Sequence, residues 1–140
     1  MQVKAILCDA ASVREGLLHI LGGGFTNVWR GEYPTGFWGA LAMIISPEAS
    51  EIGEQHKLVI KIMGDDEQLG NIERGFDVTP RPGTKHWPGE LPPIPVVVSF
   101  VEQPLRLPKA GFYRFDVLVD NDQKDTVGFF ANPPGARPQG

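Results

Sequence analysis

The stretch GFYRFDVLVD, residues 111–120, decides the fold class. Tyr113, Phe115, Val117 and Val119 fall on one face of an extended chain, with Arg114 and Asp116 on the other. A period of two belongs to a half-buried β-strand. HKLVIKIM (56–63) repeats the pattern, setting Leu58, Ile60 and Ile62 against Lys57, Val59 and Lys61. GFWGALAMIIS (36–46) is almost continuously apolar, and its aromatics, isoleucines and glycines favour a strand buried on both sides over a helix. PIPVVVSFVEQ (93–103), VKAILCDAASV (3–13), GLLHILGG (16–23), NIERGFDVT (71–79) and DTVGFFAN (125–132) read as further strands. Arg14-Glu15-Gly16 is a plausible hairpin connection between two of them. The set amounts to roughly eight strands bounded by turn residues.

Such spacing predicts an all-β chain, a single-domain antiparallel β-sandwich of about seven to nine strands, Ig-like or C2-like. At 140 residues the chain suits one domain, over 1–131, and buries enough surface to need no disulfide or metal. Residues 132–140 (NPPGARPQG) are expected to form a flexible tail. SPEASEIGEQ (46–55) is the one helical candidate, with Ser46 as cap and Pro47 in the first position; a solvated loop fits as well. Residues 79–95, TPRPGTKHWPGELPPIP, hold six prolines and read as a long loop of the kind that is often functional.

Composition narrows the function classes. The net charge is −4 and the basic residues are scattered, whereas nucleic-acid binding needs a clustered positive face. No stretch approaches the ~20 apolar residues of a membrane span, and the opening residues lack a signal-peptide pattern. A cytoplasmic location is therefore expected, with neither nucleic acid nor membrane as partner. Cys8 is the single cysteine and sits in an apolar run, where a small buried hydrophobe is the expectation.

LHILGGGFT (18–26) invites comparison with a phosphate loop, but no lysine and no helix follow the glycines. They read as a backbone device between strands, with Phe25 resuming the core. His19, His56 and His86 stand at no metal-ligand spacing, so no metal and no cofactor are expected. His19 is expected to be partly buried and His56 to open a strand. Asp65-Asp66-Glu67 and Asp120-Asn121-Asp122 read as hairpin turns, with calcium ligation as the rival if folding brings the two together. No Gly-x-Ser-x-Gly elbow is present, and no catalytic residue is assigned.

The aromatic residues remain. Trp29, Tyr33, Phe37 and Trp38 surround a Pro-Gly turn, and Trp87 stands beside His86 in the proline-rich loop. Exposed aromatics anchor binding surfaces, so Trp87, His86, Trp29, Tyr33 and Trp38 form the predicted binding set. The leading expectation is a non-enzymatic interaction module that binds a protein partner or itself. The alternatives are a small-ligand or calcium binder, or an enzyme whose cleft holds His19 or Asp9. Association through an exposed strand edge is a third.

VKAILCDAASVREGLLHILGGGFTNVW (3–29) resembles the start of a bacterial family of unknown function, which opens with a strand, an Asp-Ala-Ala-like stretch and a Leu-x-Ile-Leu-Gly-Gly-Gly run. HKLVIKIMGDDEQ (56–68) and GFYRFDVLVDND (111–122) are similar to later parts of that pattern; RPGTKHWPGELPP (81–93) is not. The resemblance implies a small β-sandwich and supplies no activity.

Overall fold

Tyr113, Phe115, Val117 and Val119 are buried, whereas Phe112 and Arg114 on the other face are exposed; Asp116, also on that face, is covered. The computed structural model describes residues 1–65, 67–79 and 91–136. Its strands are β1 (Gln2–Cys8), β2 (Ala10–Arg14), β3 (Leu17–Leu21), β4 (Asn27–Trp29), β5 (Thr35–Phe37), β6 (Ala40–Ser46), β7 (Gln55–Gly64), β8 (Glu67–Asp77), β9 (Ile94–Ser99), β10 (Leu105–Leu107), β11 (Gly111–Val119) and β12 (Asp122–Asn132). Two sheets, β1-β6-β9 and β4-β12-β11-β7-β8, pack as a β-sandwich; β2-β3 and β5-β10 form small two-stranded ladders. Among the described residues, every pairing is antiparallel except β4 against β12. β4 arrives from far upstream, so no tight turn dictates its direction.

Among the described residues, twelve strands form rather than the seven to nine expected: two runs that read as single strands are broken, and the short strands β4 and β10 lie outside the runs read as strands. Residues 3–13 break at Asp9, where the chain leaves the β1 ladder for the β2-β3 hairpin. Residues 36–46 break at Trp38-Gly39. A Cβ on Gly39 would come within 2.7 Å of the Cys8 carbonyl oxygen, so only glycine lets β6 start there. β12 runs through Asn132, whose amide donates to the Val28 carbonyl at 3.0 Å. Asn132 is thus tied into the sheet rather than opening a tail.

Between the sheets, Phe37, Phe100, Phe115 and Phe129 form an aromatic centre, with Phe37 stacked on Phe129 at 5.0 Å. Leu41, Met43, Ile45, Leu58 and Ile60 complete it and are essentially inaccessible. The β2-β3 hairpin lies on the outer side of the first sheet, where Ala11 and Leu18 pack on Cys8, Ala40 and Ala42. β6 is therefore buried on both faces from Ala40 to Met43, after which Ile44 emerges.

The three glycines close this hairpin onto β1. Asp9 N–H donates to the Leu21 carbonyl (3.0 Å) and Gly24 N–H to the Leu7 carbonyl (2.7 Å). Gly22 and Gly24 have φ of 64° and 85°, and a Cβ on Gly22 would collide with the Asp9 carboxylate. Phe25 then packs against the core, near Phe37 and Phe129.

Residues 46–55 hold a single 3-10 turn, Ala49–Glu51, capped by Glu48 rather than Ser46. The two sandwich edges are joined by side chains. Asp125 of β12 accepts the Ala5 N–H of β1 at 2.8 Å, and Arg74 of β8 donates to the Val97 carbonyl of β9 at 2.9 Å.

Candidate functional site

Trp29 ends β4 and Trp38 occupies the break between β5 and β6. Both remain accessible, at 38% and 49%. They line a depression of about 400 Å³ whose wall is formed by Phe25, Val28 and Phe37 from the core edge. Arg30 and Asp9 give it one cationic and one anionic group. The Trp38 ring lies over Gly36, where a Cβ would meet it at 2.8 Å. The Arg30 guanidinium sits 5.8 Å from the ring centroid and donates from Nε to the Gly36 carbonyl at 3.3 Å. Trp38 is thus held in place while half its surface stays free, the condition in which a cation–π contact and a binding anchor coexist.

Tyr33 plays a different part. Its hydroxyl donates to the Asn132 carbonyl at 2.6 Å, its ring packs on the core cluster, and burial pushes its pKa up against the opposing effect of Arg30. It braces the pocket's strands without lining the pocket. His86, Trp87 and most of the proline-rich loop lie outside the described residues.

The structure does not join His19 to Asp9. His19 is exposed rather than partly buried, because register places it on the outer face of the hairpin, opposite Ser12. It lines a depression on the hairpin, and Asp9 lines the tryptophan pocket. Cys8 is fully buried; burial first, and Asp9 second, raise the thiol's pKa, which suppresses the reactive thiolate. The two acidic turns are hairpin connections, with positive φ at Asp65, Asp120 and Asn121. They stand at opposite ends of β11, roughly 30 Å apart at strand rise, so the condition for a shared calcium site is not met. Among the described residues, no group of three or more His, Cys, Asp or Glu side chains is placed to hold a metal. None of the helices there is long and apolar enough to cross a membrane.

One pair escaped the sequence reading. His56 opens β7 as expected, yet it is 6% exposed and its Nδ1 lies 2.6 Å from Asp120 Oδ2. Its Nε2 faces the Glu51 carbonyl at 3.4 Å, and its ring stacks on Phe76. Both ring nitrogens meet acceptors, an arrangement that only the doubly protonated ring satisfies. The hydrogen bond to Asp120 leads in raising the His56 pKa, against burial, and the same bond leads in lowering that of Asp120. With Nε2 already engaged, the ring presents no free base to a substrate. His56 pins β7 to the β11-β12 turn and the 3-10 turn.

A family model described as a family of unknown function (DUF6941) matches residues 4–131. The chain belongs to that family. The matched span runs from within β1 to the penultimate residue of β12, so family membership covers both sheets, the hairpin and the tryptophan pocket. No curated protein and no solved structure matches the chain.

Proposed function

We propose that this DUF6941 chain is a non-enzymatic binding module that grips a protein partner by placing one large apolar side chain in the pocket between Trp29 and Trp38. The observation that carries the reading is a pair of half-exposed tryptophans around a depression of about 400 Å³, one of them lying against Gly36 and beside the Arg30 guanidinium. Tryptophan and arginine are enriched at interface hot spots, and tryptophan contributes large area at small cost in conformational freedom. The volume suits a single aromatic or long aliphatic side chain, and Asp9 and Arg30 supply polar groups that fix its orientation.

The experiment compares affinity enrichment from the native host by the wild-type chain and by a Trp29→Ala/Trp38→Ala variant, followed by calorimetry with the purified partner. The variant keeps its melting temperature within a few degrees, because neither ring is buried, and loses at least about tenfold in affinity. Capture of the same partner with unchanged affinity refutes the reading.

A further inference from the structure

The outer face of the five-stranded sheet carries a second concavity that the tryptophan pocket does not account for. Phe112 of β11 and Phe130 of β12 are direct cross-strand partners, and their rings lie 4.7 Å apart. Phe112 is 66% exposed, because its phase in β11 puts it on the face opposite the buried series that begins at Tyr113. The next outward pair is Arg114 opposite Gly128. A Cβ on Gly128 would lie 2.6 Å from the Tyr113 carbonyl oxygen and 3.3 Å from Arg114 Cβ. The absent side chain leaves a flat floor, and the groove above it measures about 650 Å³.

One wall of this groove is aromatic and the other is a guanidinium with a set orientation. Arg114 Nε donates to both Asp116 oxygens at 3.2 Å. Asp116 is 9% exposed and also accepts the Thr126 hydroxyl. This engages the Nε edge of the guanidinium and leaves the Nη donors without an acceptor among the described residues. An arginine held in this way recognises a carboxylate through paired N–H groups.

We propose that the groove over Gly128 binds small carboxylic acids with an apolar body, the body lying on Gly128 against Phe112 and Phe130 and the carboxylate meeting Arg114. This site adjoins the tryptophan pocket only at Asn27, which lines both, so it stands or falls separately from the proposed partner contact.

The test uses the whole chain labelled with ¹⁵N and two probes of the same shape, 4-phenylbutyrate and its uncharged amide. Shifts are followed at the Gly128, Phe130 and Arg114 amides. A ligand of this size binds with Kd on the order of a millimolar. The carboxylate is expected to perturb those amides in a saturable way and to bind about tenfold more tightly than the amide. Arg114→Gln erases that difference, and Phe112→Ala weakens both probes. No localised shift up to about 10 mM, shifts centred elsewhere, or equal affinity for the two probes on the wild-type chain overturns the proposal. The comparison of probes on the wild-type chain decides the matter even where a variant fails to fold.

Discussion

Replacing Asp120 with Asn tests the His56 latch while sparing the turn that holds it. Asn tolerates the φ of 50° at this position, and its side-chain oxygen can still accept the Lys57 N–H, bonded to Asp120 Oδ1 at 2.9 Å. The oxygen facing His56 Nδ1 is replaced by an amide NH2, so both the charge and the acceptor there are lost. A hydrogen bond to a charged group contributes about 1.5–3 kcal/mol. The Asp120 side chain is 50% exposed, so solvent screening reduces the expected loss to about 1 kcal/mol. For a chain of this size that corresponds to roughly 3 °C in Tm. The dependence on pH is more diagnostic than the size. His56 has a raised pKa, so its contribution is complete below the unfolded value near 6.5 and disappears as pH rises through the folded value. Asp120 has a lowered pKa, so its contribution is present above about 3.9 and disappears as pH falls through the folded value. The stability difference between wild type and Asp120→Asn therefore peaks between about pH 4 and 6.5 and shrinks on both sides. Urea denaturation followed by circular dichroism at about pH 5.5 and pH 9 measures it. A difference of equal size at the two pH values, or a variant more stable at pH 5.5, refutes the assignment.

Two further substitutions test the packing. Phe115→Ala removes a fully buried ring in contact with Phe37, Phe100 and Phe129; it is expected to cost about 3–5 kcal/mol, read from chemical denaturation, and a cost below 1 kcal/mol contradicts the aromatic centre. Gly22→Ala places a Cβ against the Asp9 carboxylate at a φ of 64°, with an expected cost of about 1–2 kcal/mol; thermal melts that coincide with wild type show that the glycines do not close the hairpin onto β1.

What the sequence reveals here depends on the distance over which each feature acts. The period of two in residues 111–120 and the Asp120-Asn121 turn are local, and both are legible without a fold. Asp9 breaks a largely apolar run, and its role follows only from the Leu21 carbonyl that it meets. His56 and Asp120 are 64 positions apart, so nothing adjacent to either residue announces the pair. Trp29 and Trp38 were legible as an aromatic cluster, but the separation of Tyr33 into a brace needed the Asn132 carbonyl. Phe112 carried a readable signal. It is a large aromatic out of phase with the buried series that begins at Tyr113, and Phe130 stands in the same relation to Phe129.

The side chains that join the sandwich edges also cap those edges. Ala5 N–H and the Val97 carbonyl are ladder groups of edge strands, and each is engaged by one charged side chain from the facing sheet rather than by another strand. An edge strand with an open N–H or C=O offers a place for a strand from another copy to pair. Asp125 and Arg74 each occupy one such group, so these two positions on the β1 and β9 edges are closed to strand addition, a task separate from holding the core together.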